Sequence, residues 1–550
     1  MMGKKVVIVG GVAGGASAAA RLRRLDEEAH IVMLEKGPYI SYANCGLPYY
    51  IGNTIQERSN LLVQTAEGMR KRFNIDVRTD SEALGIDPAA RTVRIRSKEL
   101  GEYTESYDDL VLAPGARPIR PNLPGIDSKH IYTLRNIQDM DRIKQRVAAE
   151  AVRSSLVIGG GFIGVEMAEN LRELGLDVTL VEKGPQILAP FDEEMSATLA
   201  REMERNGVRL ITGQSVLSFR EARDRIEVTL SAGEPVVVDL AILAIGVTPD
   251  TAFLKDSGLL LGPQGHILVN DKLQTNFDHI YAVGDAIETI DYVNGSRAVV
   301  PLAGPANKQG RIAADNICGL GSTYKGTQGT AIIKVFGLTG ASTGNNEKTL
   351  QRLGIPYDVT YVHPSSHASY YPGAFTLSIK LLFGIDGKVL GAQATGAEGV
   401  DKRIDIIATV IRMQGTVTDL TELELAYAPP YSSAKDPVNM AGYAAENIWT
   451  GKVKAAVPRD LSTRDPDRTQ LVDVRTKAEH AAGYIPGSML IPLDELRDRM
   501  RELDPAKEIW VYCQVGYRGN TAARILAQHG YKVRNLAGGF KTFEMSAMEA

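Results

Sequence analysis

Two glycine-rich turns, each set between a continuous apolar run and a helical stretch, constrain this chain more than any other feature. The first, Gly10-Gly11-Val12-Ala13-Gly14-Gly15, follows KVVIV at residues 5–9 and precedes helical composition from Ala16 to Leu25 and a second apolar run from Ile31 to Leu34. The second, Gly159-Gly160-Gly161-Phe162-Ile163-Gly164, follows Ser155 to Ile158 and precedes Phe162 to Leu174 and Val178 to Val181. Each reads as one βαβ unit, and the architecture repeats after about 150 residues.

The second turn is a complete GxGxxG. Gly159 permits the tight turn, Gly161 lets backbone approach a pyrophosphate, Gly164 lets helix and strand close, and the helix N-terminus favours the anion. Glu182, at the end of the next strand, can accept from a ribose 2′-hydroxyl and would repel a 2′-phosphate, which favours NADH over NADPH; Lys183 beside it moderates that preference. The first turn departs from the pattern, with Val12 at the middle glycine position, yet keeps Gly10, Gly15 and the acidic Glu35. Two dinucleotide sites in one chain suggest one fixed and one exchangeable cofactor.

The remaining texture divides the chain further, as its 550 residues lead one to expect. Asp109 to Leu112 reads as a strand entering the turn at Pro114-Gly115, and Pro118 to Pro124 as a connector. The apolar runs at residues 240–249 and 280–285 are placed to return the chain to the first domain. Residues from about 326 to 445 mix β-type runs with a helix from Asp405 to Met413, an α+β pattern. Residues 451–468, polar and carrying two prolines, read as a linker before a small α/β domain.

Charge and cysteine content narrow the function classes. Lys+Arg of 62 against Asp+Glu of 66 leaves a formal charge of -4, too balanced for a bulk field that recruits nucleic acid or anionic membrane. The three cysteines, Cys45, Cys318 and Cys513, form no disulfide framework and suit a reducing compartment. Lys4 and Lys5 before an apolar, Ala-rich stretch resemble a secretory signal superficially, but the glycines argue against it, and no run has the length of a membrane helix. The expectation is a cytoplasmic protein without nucleic-acid or membrane partners, and no residue pattern asks for a metal.

Together with Ala113-Pro114-Gly115, Ile245 to Pro249, and Thr275 through Ile280-Tyr281-Ala282-Val283-Gly284-Asp285, the two turns resemble the flavoprotein disulfide reductase superfamily over residues 1 to about 445. The resemblance implies FAD at the first site, with Asp285 on the ribityl chain, and NADH or NADPH at the second. It also implies a discontinuous FAD-binding domain over 1–113 and 246–325, an NAD(P)H-binding domain with connectors over 114–245, and a dimerisation domain over 326–450.

Cys45, in Ser41-Tyr42-Ala43-Asn44-Cys45-Gly46, stands where the superfamily keeps its redox cysteine, but no second cysteine is near enough to pair with it. A lone cysteine there resembles the branch containing coenzyme A disulfide reductase, NADH oxidase and NADH peroxidase. Such a thiol can form a sulfenic acid, or a mixed disulfide with a small thiol. Oxidase and peroxidase members carry a histidine in the first turn, where this chain has Ala13. By resemblance, Ser17, Arg21, Arg24, Ser41, Asn44, Asn307 and Lys435 are the expected contacts of coenzyme A, and Tyr370 and Tyr427 are tyrosines that reach the site across a homodimer. Cys318, in a helical stretch, reads as core filler.

Finally, Cys513-Gln514-Val515-Gly516-Tyr517-Arg518-Gly519 lies between the strand IWVY and a helix from Asn520 to Gln528. Backbone N–H groups, a helix N-terminus and the charge of Arg518 would favour a thiolate or persulfide there. The loop resembles that of rhodaneses, supported by Asp473-Val474-Arg475, Tyr484 to Ser488 (with Tyr484 where histidine is common) and Gly538-Gly539-Phe540, and implies a rhodanese-like domain over 469–550. The whole chain resembles fusions of a coenzyme A disulfide reductase with a rhodanese domain. That implies reduction of coenzyme A disulfide, persulfide or polysulfide at Cys45 while Cys513 handles persulfide sulfur. The alternatives are an NADH oxidase or peroxidase using a Cys45 sulfenic acid, and a sulfur-carrier or redox-sensing protein.

Overall fold

A computed structural model describes residues 3–546. The chain divides into two compact units, Met1–Lys183 with Gly207–Gly329, and Gly184–Asn206 with Thr330–Ala550.

The first unit contains two parallel five-stranded sheets. In one, the strand Lys5–Val9 is central, flanked on one side by His30–Leu34 and Asp76–Arg78 and on the other by Asp109–Leu112 and Ile280–Ala282. Its continuous apolar run is what a strand buried on both faces requires. Strand order reverses beside Lys5–Val9, and a crevice outside the carboxyl ends of the strands forms at such a point. The first glycine turn lies there. The second sheet repeats the plan around Ser154–Ile158, between Asp177–Val181 and Leu240–Leu243, with Val208–Ile211 and Ile131–Tyr132 at its edges.

The run at 240–249 departs from expectation. Leu240–Leu243 stays in the second sheet, and after Gly246 (φ +112°) the chain reverses into Val247–Pro249, antiparallel to Ala116–Pro118. Only Ile280–Ala282 rejoins the first sheet, so a glycine breaks what composition reads as one strand.

Helices Ala13–Leu25 and Ala303–Ile317 cross at close range. A Cβ on Gly310 would stand 2.2 Å from the carbonyl oxygen of Gly14, so this approach needs glycine. Cys318 caps the second helix and packs, partly buried, against the core around Ile8, Ile31 and Val111, in keeping with filler.

The second unit is built on an antiparallel sheet ordered Ala331–Val335, Leu338–Gly344, Val389–Gly396, Ser378–Gly384, Tyr357–Val362. Helix Val400–Arg412 packs on it. A parallel sheet follows, ordered Ala455–Ala456, Val533–Leu536, Glu508–Tyr512, Thr469–Asp473, Ser488–Leu490. The stretch 451–468 is therefore structured. Ala455–Ala456 is an edge strand of the last sheet and Asp460–Thr463 is a helical turn, because short polar segments can still complete a sheet edge with backbone hydrogen bonds.

This unit buries a cluster of charged side chains. Lys380, fully buried, places its ammonium 2.5 Å from Glu194, 2.5 Å from Glu347 and 2.9 Å from Asp192, and Arg459 also pairs with Glu347. These three carboxylates converge as metal ligands do, but the cation at their centre is the ammonium of Lys380.

Candidate active sites

The geometry of the two glycine turns is that of dinucleotide cradles. Gly10 (φ +99°) and Gly159 (φ +108°) lie in conformations that L side chains rarely adopt, and a Cβ on either would run into backbone. A Cβ on Gly15 would fall 1.9 Å from Gly10 oxygen, and one on Gly164 would fall 1.9 Å from Gly159 oxygen, so both close helix–strand contacts need glycine. Gly161 is exposed with open space beside it, as backbone facing a pyrophosphate must be. The acidic partners are in place: Gly11 N–H donates to Glu35 (3.0 Å) and Gly160 N–H to Glu182 (2.6 Å), which aims each carboxylate at its turn. Burial, more than any other influence, pushes the Glu35 carboxyl up. The residues fit a dinucleotide at both turns.

Cys45 occupies a short 3-10 turn, Asn44–Gly46, leading into helix Leu47–Ile51. Ser41 ties this segment to the first glycine turn by donating its N–H to Gly11 oxygen (2.8 Å), and adopts φ +44° to do so. The thiol is exposed. Partial desolvation raises its pKa, the carboxylates of Glu166 and Asp285 raise it further, and Arg135 opposes them. Asn44 Oδ1, beside the thiol, is buried without a hydrogen-bond partner among the described residues, an acceptor available to a hydroxyl or amide of a bound group.

Three residues of this site, Arg135, Glu166 and Tyr49, are not among those expected from the sequence. Arg135 donates to Asp285 (3.1 Å), Glu166 accepts from Tyr49 (3.4 Å), and burial lifts the Glu166 carboxyl to about 7. Glu166 could have been found, since it stands two residues past Gly164 on the fingerprint helix. Arg135 could not, because its partner is 150 residues away.

The expected coenzyme A contacts are only partly gathered. Ser17 donates to Asn307 at 2.7 Å, brought there by the glycine contact between their helices. Arg21 is committed by its Nε to Asp315 (2.7 Å), whereas Arg24, one turn on, is exposed and lies over the Phe73 ring at 5.4 Å. Asp315 thus compensates part of the charge of Arg21, while Arg24 has no carboxylate partner among the described residues. Lys435 is exposed on the second unit. Tyr370 and Tyr427, also on that unit and exposed, share a hydroxyl–hydroxyl hydrogen bond of 2.8 Å.

Cys513 directly follows strand Glu508–Tyr512 and is fully buried. Gly516 (φ +88°) turns the chain into helix Tyr517–Gln528, and the N–H groups of Gln514, Val515 and Gly516 have no acceptor among the described residues. Such an array favours an anionic sulfur. Arg518 divides its charge: it forms a two-point ion pair with Glu479, with one N–O contact at 2.8 Å, which holds the Glu479 carboxyl down at about 2, and it also interacts with the Cys513 thiol. Glu479 also closes the Thr476 capping box of helix Lys477–Ala482, and a cap is all that spacing announces in sequence. Behind the loop, Asp473 accepts from Arg475 and from His480 Nδ1 (2.9 Å), Arg475 reaches Gln514 (2.9 Å), and Tyr484 stacks on His480 at 4.4 Å.

Comparison with known proteins agrees with this anatomy. Residues 4–310 match the pyridine nucleotide-disulphide oxidoreductase family, 330–437 the dimerisation domain of that family, and 458–546 the rhodanese-like domain. The coenzyme A disulfide reductase of Staphylococcus haemolyticus is 37% identical over 449 residues, covering 81% of this chain and all of the relative. The crystal structure of reduced Bacillus anthracis CoADR-RHD superposes with a TM-score of 0.97 at 52% identity, covering 99% of this chain and 98% of that one. An NAD-dependent persulfide reductase from A. fulgidus gives 0.91 at 35% identity, covering 98% and 100%. With two dinucleotide cradles, an exposed lone cysteine beside the first and a second cysteine in a loop near the C-terminus, the chain belongs to the pyridine nucleotide-disulphide oxidoreductase family and carries that family's dimerisation domain and a rhodanese-like domain.

Proposed function

We propose that this protein is an FAD- and NAD(P)H-dependent reductase of coenzyme A disulfide and coenzyme A persulfide or polysulfide, acting through Cys45, with Cys513 handling persulfide sulfur. The observation that carries the reading is Cys45 itself: an exposed thiol next to a dinucleotide cradle, with no cysteine partner, whose neighbouring Asn44 keeps an unused acceptor.

FAD, bound over residues 1–113 and 246–325 through Gly10, Gly15, Glu35 and Asp285, supplies the route for an electron pair from the nicotinamide to sulfur. Gly159, Gly161, Gly164 and Glu182 hold the nicotinamide dinucleotide in the domain spanning 114–245, with NADH preferred and NADPH accepted less well. Cys45 thiolate attacks one sulfur of coenzyme A disulfide and expels coenzyme A thiolate, leaving a mixed disulfide. Two electrons cleave it to Cys45 thiolate and a second coenzyme A thiolate. With coenzyme A persulfide, Cys45 attacks the sulfur bonded to coenzyme A and hydrosulfide leaves. Overall, one NADH and one proton convert one disulfide into two thiols.

Ser17, Asn307, Ser41 and Asn44 orient the coenzyme, Arg24 and Lys435 meet its phosphates, and Arg21 holds Asp315 beside them. Tyr370 and Tyr427, on the dimerisation domain over 326–450, serve the site of the other subunit in a homodimer and donate a hydrogen bond to the departing sulfur. The rhodanese-like domain over 469–550 loads persulfide sulfur on Cys513, with Arg518 and the loop amides stabilising its anion, and passes it to coenzyme A. A reducing, cytoplasmic setting suits three free thiols. Among the described residues no helix is long and apolar enough to cross a membrane.

A substrate panel tests the reading: NADH oxidation and sulfide release with coenzyme A disulfide, coenzyme A persulfide, polysulfide, peroxide and oxygen. The coenzyme A substrates should be turned over fastest and lose turnover in Cys45→Ser. Faster consumption of oxygen or peroxide without thiol would instead identify an oxidase or peroxidase, and no turnover with any substrate would identify a carrier or sensor.

A further inference from the structure

The sulfur loop of Cys513 is backed by a backbone segment that is itself clamped from outside the rhodanese-like domain. Phe540 N–H donates to Cys513 oxygen (2.8 Å) and Lys541 N–H to Gln514 oxygen (2.9 Å), so residues 538–541 form the floor of the loop. Gly538 and Gly539 both take positive φ, +69° and +66°. A Cβ on Gly539 would stand 2.1 Å from Cys513 oxygen and 2.8 Å from Gly516 nitrogen, while one on Gly538 would stand 2.7 Å from Tyr361 Cβ and 2.9 Å from His363 Nε2. The glycine pair is thus a single layer of backbone between the sulfur loop and the edge strand Tyr357–Val362 of the dimerisation sheet.

His363, just beyond that strand, fastens this layer. Its Nε2 lies 2.7 Å from Thr542 Oγ1, on the helix that begins at Gly539, and its Nδ1 lies 2.8 Å from Ser378 Oγ on the neighbouring strand. All three side chains are buried. A neutral imidazole has one donor and one acceptor, and each hydroxyl can supply the complement, so the bridge is fully satisfied without charge. Burial and Lys541 keep the ring neutral. On the same face, Ala537 packs with Val359, Tyr361 and Leu382, and Arg201 donates to the carbonyl of Glu544.

We propose that His363, a residue of the dimerisation domain, is a positioning residue for sulfur transfer at Cys513: through Thr542 it fixes Gly538 and Gly539, and through them the amides that cradle the sulfur anion. The inference rests on the reading of Cys513 as the sulfur carrier. Loss of the bridge lets the floor shift and weakens amide stabilisation of the Cys513 anion, slowing transfer without removing any group that binds the donor.

The test uses the full-length, cofactor-loaded enzyme in two assays. One follows sulfur transfer from polysulfide to cyanide: Cys513 thiolate takes a sulfane sulfur and releases the shortened polysulfide, then cyanide removes that sulfur as thiocyanate and restores the thiolate. The other follows NADH oxidation with coenzyme A disulfide. His363→Ala and Thr542→Val should lower kcat for thiocyanate formation about tenfold with the polysulfide KM nearly unchanged. Thr542→Ser, which keeps the oxygen, should stay near wild type, and all three should reduce coenzyme A disulfide normally. Unchanged kcat in Thr542→Val, failure of Thr542→Ser to rescue, or parallel loss of both activities would overturn the proposal. Thiocyanate formation persisting in Cys513→Ser would instead overturn the carrier reading beneath it.

Discussion

The hydroxyl of Tyr370 lies 2.8 Å from that of Tyr427, although the two are 57 residues apart and both exposed. One hydroxyl donates to the other, and this bond raises the pKa of Tyr370, so that phenol stays protonated and able to donate near neutral pH. Tyr370→Phe and Tyr427→Phe should each lower kcat with coenzyme A disulfide by about 10- to 100-fold. The double variant should be little worse than either single one, because the hydroxyls act as a unit. Removing exposed hydroxyls should leave the thermal unfolding midpoint nearly unchanged.

The environment of Cys45 yields a prediction with a defined sign. Glu166 adds negative charge near the thiol and raises its pKa. Glu166→Gln removes that charge, so the thiolate should form at lower pH. The midpoint of the pH–rate profile for alkylation by iodoacetamide should move down relative to wild type; an upward shift would show that Glu166 acts on Cys45 in some other way.

What could be read from the chain in advance follows from how local each feature is. Gly10, Gly15, Gly159 and Gly164 are needed by turns closed within six residues, and Cys513 to Gly519 is one contiguous segment from strand end to helix start, so spacing alone exposes them. The environment of the thiols is not local. Arg21 finds Asp315 only because Gly14 and Gly310 let two distant helices touch, and Arg135 finds Asp285 across two domains of sequence. Arg518 reads as a free cation until Glu479 is folded against it. Ala455–Ala456 has too few residues for any periodicity, so its place in the last sheet is decided by the strand it pairs with.

Buried charge in the second unit makes it vulnerable to one substitution. Lys380 is surrounded by Asp192, Glu194 and Glu347, all buried. Lys380→Met leaves these carboxylates without their central cation and should destabilise the unit by about 3–5 kcal/mol in chemical unfolding. Replacing Arg459, whose side chain is half exposed, should cost less.

His363 makes stability depend on pH. Its pKa falls to about 3 in the folded protein, from an ordinary value of 6.5, because burial opposes the charged ring. The unfolded chain therefore binds a proton that the folded chain does not, and stability is full above pH 6.5 and declines below it by up to about 1.4 kcal/mol per pH unit. His363→Gln should flatten that decline between pH 6.5 and pH 5 in urea titrations. An unchanged slope would place the titration elsewhere.

During turnover Cys45 should take coenzyme A into a mixed disulfide. The most direct measurement is mass spectrometry of the Cys45 peptide after the oxidised enzyme is incubated with coenzyme A disulfide without NADH and digested under non-reducing conditions. Coenzyme A should be found attached to Cys45, released on addition of NADH, and absent from Cys318. A Cys45 found as sulfenic acid or unmodified thiol under these conditions would contradict it.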